Sequence, residues 1–325
     1  MQFDDSRSLL LAQVASLYYD QNKSQQEIAK ELSVSRSAIS RFLTEARDRG
    51  IVEIIVHYPW RTCPELEQEL ISTFNLKAAR VLLGQQKTYE EMLQGLGTLA
   101  AQYLDNILRD GMIIGISWGS ALYQMIRAMR TRNLPGVEII QVIGATGAQV
   151  EPTDGPILAQ LLSDRLGGFA RYLHAPLIVD NEAARDALLQ DRNIRETITR
   201  AKQADIMLVG IGTPDPELYS LLRAGYVNEA ETQDIRAAGV TGDICGHHYS
   251  LTGEWLDIEI NHRAIGLSLD ALTEIDRVIG VAGSSQKGAA ILGALLGGYV
   301  NVLVTDDRAA QKVLTLHKSI STKSR

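Results

Sequence analysis

The chain has 325 residues, 45% of them hydrophobic, and a formal charge of −7, so it holds enough apolar material for one small and one large core. The acidic balance excludes a protein that merely coats nucleic acid or an anionic membrane. Cys63 and Cys245 stand far apart with no CxxC neighbour, which argues against a metal site and for reduced thiols. The opening MQFDDSRS is acidic without a signal-peptide core, and no apolar run is long enough to span a bilayer. A cytoplasmic protein with no membrane partner and no cofactor is expected.

In chain order, Ser8 to Tyr19 reads as a helix that offers Leu9, Leu10, Val14, Leu17 and Tyr18 for packing. Ser24 with Glu27 three residues on is a capping box that starts a second helix, in which Ile28 and Leu32 share a face. Ser33-Val34-Ser35 breaks the run, and Ile39, Phe42, Leu43 and Ala46 resume it. Three helices of this kind form a helix-turn-helix core. With Ser35 as cap, Arg36, Ser37, Ser40 and Arg41 occupy the outer face at the start of the last helix, where such proteins reach base edges and phosphates of double-stranded DNA. The first sixty residues are nearly charge-balanced, so binding must depend on local placement of Arg36, Arg41, Arg47 and Arg49 and on symmetric assembly. Ile51 to Val56 reads as a strand, a short wing, stopped at Tyr58-Pro59. The expected division is a DNA-binding domain over 1–58, a connecting helix within 59–76 (Pro64 to Phe74) and a larger domain over 77–320.

The larger part alternates strand and helix. Strands are expected at Ala79 to Leu83, Met112 to Ile116, Val137 to Ile143, Ile206 to Val209 and Val278 to Val281, with Val300 to Val304 closing the sheet. Helices are expected at Tyr89 to Leu108, Ala121 to Met129 and Ile157 to Leu166. Apolar strands separated by helices indicate an α/β fold with a parallel sheet covered on both faces.

Small residues collect where these strands end, at the carboxyl edge where open α/β sheets bind ligands. GISWGSA, Gly115 to Ala121, is a strand end followed by a helix start. Its backbone N–H groups and the hydroxyls of Ser117 and Ser120, with Gly119 and Ala121, make a phosphate cradle, although a glycine-rich turn can equally serve packing alone. It is neither GxGxxG nor a Walker loop, so nucleotide binding is not indicated. Gly144-Ala145-Thr146 and Gly212-Thr213 end two other strands, which adds Gly144, Thr146 and Thr213 as candidates. Lys287, after a further strand end, can neutralise a phosphate or be an ordinary solvated helix residue. Asp243, Asp257 and Asn261 are polar groups among apolar neighbours that suit sugar hydroxyls, or else cap turns and strand edges. His247 and His248 are adjacent and, on a strand, point to opposite faces, so they form no paired metal site. A Ser-His-Asp reading lacks a nucleophile elbow.

Several stretches together resemble the SorC/DeoR-type family of bacterial sugar-responsive transcriptional regulators. They are LYYDQNKSQQEIAKELSVSRSAISRFLTEARDRGIVEI (17–54), GISWGSALYQM (115–125), VGIGT (209–213), GYVNEAE (225–231), GDICGHHYSLTGE (242–254) and GVAGSSQKGAAILGALLGGYVNVLVTD (280–306). The resemblance covers nearly the whole chain. It implies a winged-helix-like DNA-binding domain and a sugar-phosphate-isomerase-like domain acting as a sensor. A phosphorylated sugar or related metabolite would be the effector and a tetramer the working form. The family's phosphate loop maps onto Ser117, Gly119, Ser120 and Ala121, its neutralising lysine onto Lys287, and its hydroxyl-binding acids onto Asp243 and Asp257. Members that sense deoxyribose phosphate carry a Schiff-base lysine after the strand that here reads Ile139 to Gly144; Ile143 stands there, which argues against covalent capture of an aldehyde. The alternative from a different class is a sugar-phosphate isomerase or deaminase with Asp243 or Asp257 as base and an added N-terminal domain.

Overall fold

The computed structural model describes residues 2–52, 60–84, 88–146 and 152–323. It divides into two compact units, Met1–His57 and Tyr58–Arg325.

The first unit is three helices, α1 (Gln2–Tyr19), α2 (Gln25–Glu31) and α3 (Arg36–Asp48). The capping box is formed: Glu27 N–H donates to Ser24 Oγ at 3.3 Å and Ser24 N–H donates back to Glu27 Oε2 at 2.8 Å. Ser33 takes a left-handed conformation, φ 54°, which turns the chain between α2 and α3. Val14, Leu17, Ile28, Ala29, Ile39 and Leu43 form the core. Arg7 fastens α3 to α1. Its guanidinium lies 4.5 Å from the Phe42 ring centre and donates to Glu45, which also accepts an ion pair from Arg49. Helix α1 begins six residues before Ser8, because no glycine or proline among those residues stops it. The wing expected at Ile51 to Val56 falls largely outside the described residues; Ile51 and Val52 are bends whose N–H groups close on Ala46 C=O.

The second unit opens with α4 (Pro64–Phe74), then β1 (Ala78–Leu82), α5 (Tyr89–Ile107), β2 (Ile113–Ile116), α6 (Ser120–Ala128), β3 (Glu138–Gln141), α7 (Gly155–Leu166) and β4 (Phe169–Arg171). There follow α8 (Glu182–Gln190), α9 (Arg192–Ala201), β5 (Ile206–Gly210), α10 (Ser220–Arg223), α11 (Glu229–Ala237) and the hairpin β6 (Gly242–Ile244) and β7 (His247–Tyr249). The chain ends with α12 (Glu259–Arg263), α13 (Leu269–Thr273), β8 (Arg277–Val281), α14 (Gly288–Leu296), β9 (Val302–Asp306) and α15 (Asp307–Lys323). Among the described residues the main sheet has seven strands in the order β1-β9-β8-β5-β2-β3-β4, every pairing parallel. The last strand therefore does not close an edge; β9 is inserted between β1 and β8, and β1 and β4 are the edges. Linear position cannot reveal this, since a crossover helix can return the chain to either side of strands already placed.

Both faces are covered, as continuous apolar strands require. Ile206 and Leu208 point into the core under α5, α6 and α7, while Met207 and Val209 point into the one under α4, α14 and α15. Helix α4 belongs to this second unit: Leu70 is in its core, and Glu67 Oε1 accepts from Val81 N–H on the edge strand β1. The segment read as a connector thus covers a sheet edge.

At the opposite end a buried carboxylate joins three elements. Glu138 on β3 accepts from Arg171 Nε on β4 at 2.7 Å and from Arg200 Nε on α9 at 2.8 Å. Burial by itself would raise its pKa, and the two guanidinium partners outweigh that and hold it low. Glu138→Gln is expected to lower the unfolding free energy by about 1–3 kcal/mol at neutral pH. A depressed carboxylate stabilises above its unfolded pKa, ordinarily 4.5 here, and loses that stabilisation as pH falls through the lowered native value. The deficit should therefore shrink in denaturant titrations at about pH 3; an equal deficit at both pH values would assign it to packing instead.

Candidate functional site

Two surfaces carry the candidate residues. In the first unit, Ser35 caps α3 by accepting from Ala38 N–H at 3.1 Å, and its hydroxyl lies 2.9 Å from that of Ser37. Arg36, Ser37, Ser40 and Arg41 are all exposed on the face of α3 opposite Ile39 and Leu43. The structure thus gathers all five expected residues, Ser35 included, on the first two turns. It separates Arg49 from them, because Arg49 is committed to Glu45 beside Arg7.

In the second unit, the winding of the chain reverses between β2 and β5. From β2 it proceeds to β3 and β4, then returns to β5 on the other side of β2 and continues to β8 and β9. The carboxyl ends of adjacent strands that diverge in this way leave a crevice. A cleft of about 50 Å³ lies there, lined by Trp118 to Ala121 after β2, Gly210 to Gly212 after β5 and Val281 to Gly283 after β8. Asp243, Cys245, Lys287, Ser220, Arg223, Tyr89 and Leu93 complete it.

Each wall has a local cause. Gly119 sits at φ 118°, a conformation closed to other residues, and a Cβ there would meet nothing within 4 Å, so the backbone rather than crowding demands glycine. As N-cap of α6 it has no side chain to bond the first N–H groups of the helix. Ser117 is buried and its Oγ accepts from Gly210 N–H at 3.3 Å, tying the two diverging loops together. Ser284, at φ 85°, bends the loop after β8 so that its N–H donates to Asp306 at 2.5 Å and Lys287 follows on a short 3-10 turn, Ser285–Lys287.

The electrostatics are those of charges held away from water. Lys287 is half-buried as a residue and its ammonium donates to Ile211 C=O at 2.7 Å. Burial lowers its pKa to about 8; Asp243 opposes the shift and Arg223 adds to it. Asp243 on β6 is 6% exposed, packed against Gly212, and burial raises its pKa while His248 and Lys287 oppose. Opposite it on β7, His248 is fully buried and burial lowers its pKa. Asn261 fixes its tautomer. The Asn261 amide donates to His248 C=O and Leu256 C=O, so its Oδ1 is the acceptor for His248 N–H at 2.7 Å and for Nδ1–H at 2.9 Å. Nε2 of the neutral ring then accepts from Tyr219 O–H at 2.7 Å.

The expected effector residues therefore divide. Gly119, Ser120, Ala121, Asp243 and Lys287 meet in the cleft, and Ser117 braces it. Asp257 is not among the described lining residues: its side chain is 84% exposed and pairs with His262 at 2.5 Å. Nor is Asn261, a buried support for His248. Gly144 lies on the neighbouring loop, where a Cβ would overlap the backbone of Pro176, so it serves close packing. Thr146 donates its N–H to Asp154 at 3.0 Å, and Thr213 is buried beyond Gly212; neither is among the described lining residues. Ile143 is wholly buried in an apolar cluster with Leu177 and Tyr219. Sequence reasoning missed Tyr89, Ser220 and Arg223. In the sequence Tyr89 marks only the start of a helix, and Ser220 and Arg223 stand on a helix of 4 residues, too short to show a period.

A family model described as "Putative sugar-binding domain" matches residues 58–315, and one for region 4 of sigma-70 matches residues 12–49. The deoxyribonucleoside regulator of Bacillus subtilis (strain 168) is 34% identical over 311 residues, which are 96% of this chain and 99% of that protein. The sorbitol operon regulator of Klebsiella pneumoniae is 32% identical over 313 residues, 96% of this chain and 98% of its own. The crystal structure of the full-length sorbitol operon regulator SorC from Klebsiella pneumoniae superposes with a TM-score of 0.71, covering 96% of this chain and 99% of that one.

Because a Cβ on Gly212 would overlap the Asp243 carboxylate, Gly212→Ala must displace that group or the hairpin that carries it. The expected cost is about 1–3 kcal/mol of stability, read by denaturant titration. An unchanged midpoint would mean that the carboxylate swings freely.

Proposed function

The chain belongs to the SorC/DeoR-type family of sugar-responsive transcriptional regulators, and from that membership we propose which of its residues do the work. It is a DNA-binding regulator whose operator binding is controlled by a sugar-type effector. Ser35, Arg36, Ser37, Ser40 and Arg41 read the operator: Arg36 and Arg41 are exposed and can reach guanine edges or phosphates, while the hydroxyls bond phosphates. The effector is a phosphorylated sugar held at the winding reversal. The observation that carries this reading is the Lys287 ammonium lining the same cleft as the uncapped start of α6 at Gly119 and Ser120. Gly119 N–H is itself bonded to Thr153 C=O at 2.9 Å; a cation beside the N–H groups from Ser120 onward, which no side chain caps, suits a phosphate, and the polar Asp243 suits the hydroxyls of the sugar. No lysine stands at Ile143, so the ligand is held without an imine at that position.

Control of DNA follows only if the effector binds two arrangements of the protein with different affinity. The working form we propose is a homo-oligomer, a tetramer, acting in the cytoplasm; no helix among the described residues is long and apolar enough to cross a membrane. The relatives are named as regulators, and we read this chain as binding its sugar phosphate without turning it over. Asp243 is the one carboxylate among the described lining residues and no histidine stands beside it there, so that lining offers no pair of carboxylate or imidazole groups to act as base and acid.

Arg41→Ala is expected to weaken operator binding by roughly tenfold or more, as loss of a charge-assisted contact does, with effector affinity unchanged. Arg49→Ala, removing a group already committed to Glu45, should change operator binding far less. Equal losses in mobility-shift titrations would refute the assignment of the α3 face. For the cleft, thermal unfolding against a panel of sugars and their phosphates should show a shift only with phosphorylated compounds. Lys287→Ala should abolish that shift and the release of operator while operator binding persists. A shift with the free sugar alone would overturn the phosphate assignment.

A further inference from the structure

We propose that Arg223 is a second cation of the anion site and that it makes the site selective for a phosphomonoester, which carries close to two negative charges, over neutral or singly charged sugars. The proposal rests on the phosphate reading of the cleft and specifies its chemistry.

Arg223 ends α10 and lines the same cleft as Lys287, Gly119 and Ser120. Its guanidinium has one long hydrogen bond, 3.4 Å, to Ser220 Oγ on its own turn, and no described carboxylate lies within ion-pair distance. Other arginines of this unit are held by carboxylates: Arg171 and Arg200 by Glu138, Arg263 by Glu259. The charge of Arg223 reaches both the Lys287 ammonium, whose pKa it lowers, and the Tyr89 hydroxyl. Two cations thus face one small cleft and repel each other.

Against these two cations the described lining sets a single carboxylate, Asp243. The cleft therefore holds more positive than negative charge, and an anion seated between the cations relieves the repulsion. A phosphomonoester offers about −1.5 to −2 charges and three acceptor oxygens. The planar fork of Arg223 can take two of those oxygens while Lys287 acts as a point charge. A sugar acid with a single charge satisfies one cation, and a neutral polyol neither.

The segment that carries Arg223 is held at both ends before any ligand arrives. Tyr219, directly before α10, is fully buried with its hydroxyl on His248. Tyr226, after it, donates to Ala145 C=O at 3.0 Å. Anchoring of this kind removes much of the ordering cost of binding.

The test is thermal unfolding of the full-length chain titrated with inorganic phosphate at constant ionic strength, with chloride as reference. The parent chain should be stabilised by phosphate beyond chloride. Arg223→Ala, with its melting point in chloride unchanged because the residue is exposed, should need roughly tenfold more phosphate or more for the same shift. Arg223→Lys, keeping charge without the fork, should fall between the two. An Arg223→Ala titration that superposes on the parent's, while Lys287→Ala loses the response, overturns the role of Arg223 and leaves the phosphate cleft standing. No phosphate-specific shift in the parent chain overturns both.

Discussion

Parallel strands cannot be joined by tight turns, so each must return over a face of the sheet, and where the direction of winding changes two neighbouring strand ends separate without a crossover between them. In this chain that place is the junction of β2 and β5. The glycines at 119, 210 and 212 belong to it, as do the Ser117 hydroxyl that ties its two loops and the start of α6. Inserting β9 between β1 and β8 has a related effect: it places Asp306 beside the loop after β8, where it fixes Ser284 and so delivers Lys287. The cleft is a consequence of strand order before it is a consequence of any side chain.

The charges in the cleft are governed by burial. Water would hold Lys287 and Asp243 near their ordinary pKa values; protein around them favours the neutral form of each, and each partly restores the charge of the other. His248, Asn261 and Tyr219 form an uncharged chain behind Asp243 in which every donor and acceptor direction is determined. Such a chain keeps the hairpin and α10 in fixed positions without adding a competing charge. On the proposed phosphate reading, two cations against one carboxylate suit an anion, and the order in the supports means that little has to be arranged when one arrives.

The first unit answers the problem set by an acidic chain that must bind an acidic polymer. Its net charge gives no general attraction, so the affinity depends on where the few unpaired cations stand. The Arg7–Glu45–Arg49 cluster spends two of them on holding α3 against α1, and the exposed start of α3 keeps Arg36 and Arg41 free. The far end of the helix is thus held by Glu45, and the proposed reading face is its exposed start.

The sequence by itself determined what depends on near neighbours along the chain. The Ser24/Glu27 box, the Ser35 cap, the bounds of α4 and the long apolar strands follow from local hydrogen bonding and periodicity, and so does the glycine at 119, whose φ no other residue adopts readily. Strands of 3 residues such as β4 and β6 escaped because an alternating pattern needs a run of about four to eight residues to show. Only the tertiary structure decided which polar residues share a site. Asp243, Asp257 and Asn261 looked alike as polar groups among apolar ones, yet one lines the cleft, one faces solvent beside His262, and one is a buried brace. Arg223 had no local mark at all. Its place depends on strand order and on the burial of Tyr219 against His248, both set by contacts between residues far apart in the chain.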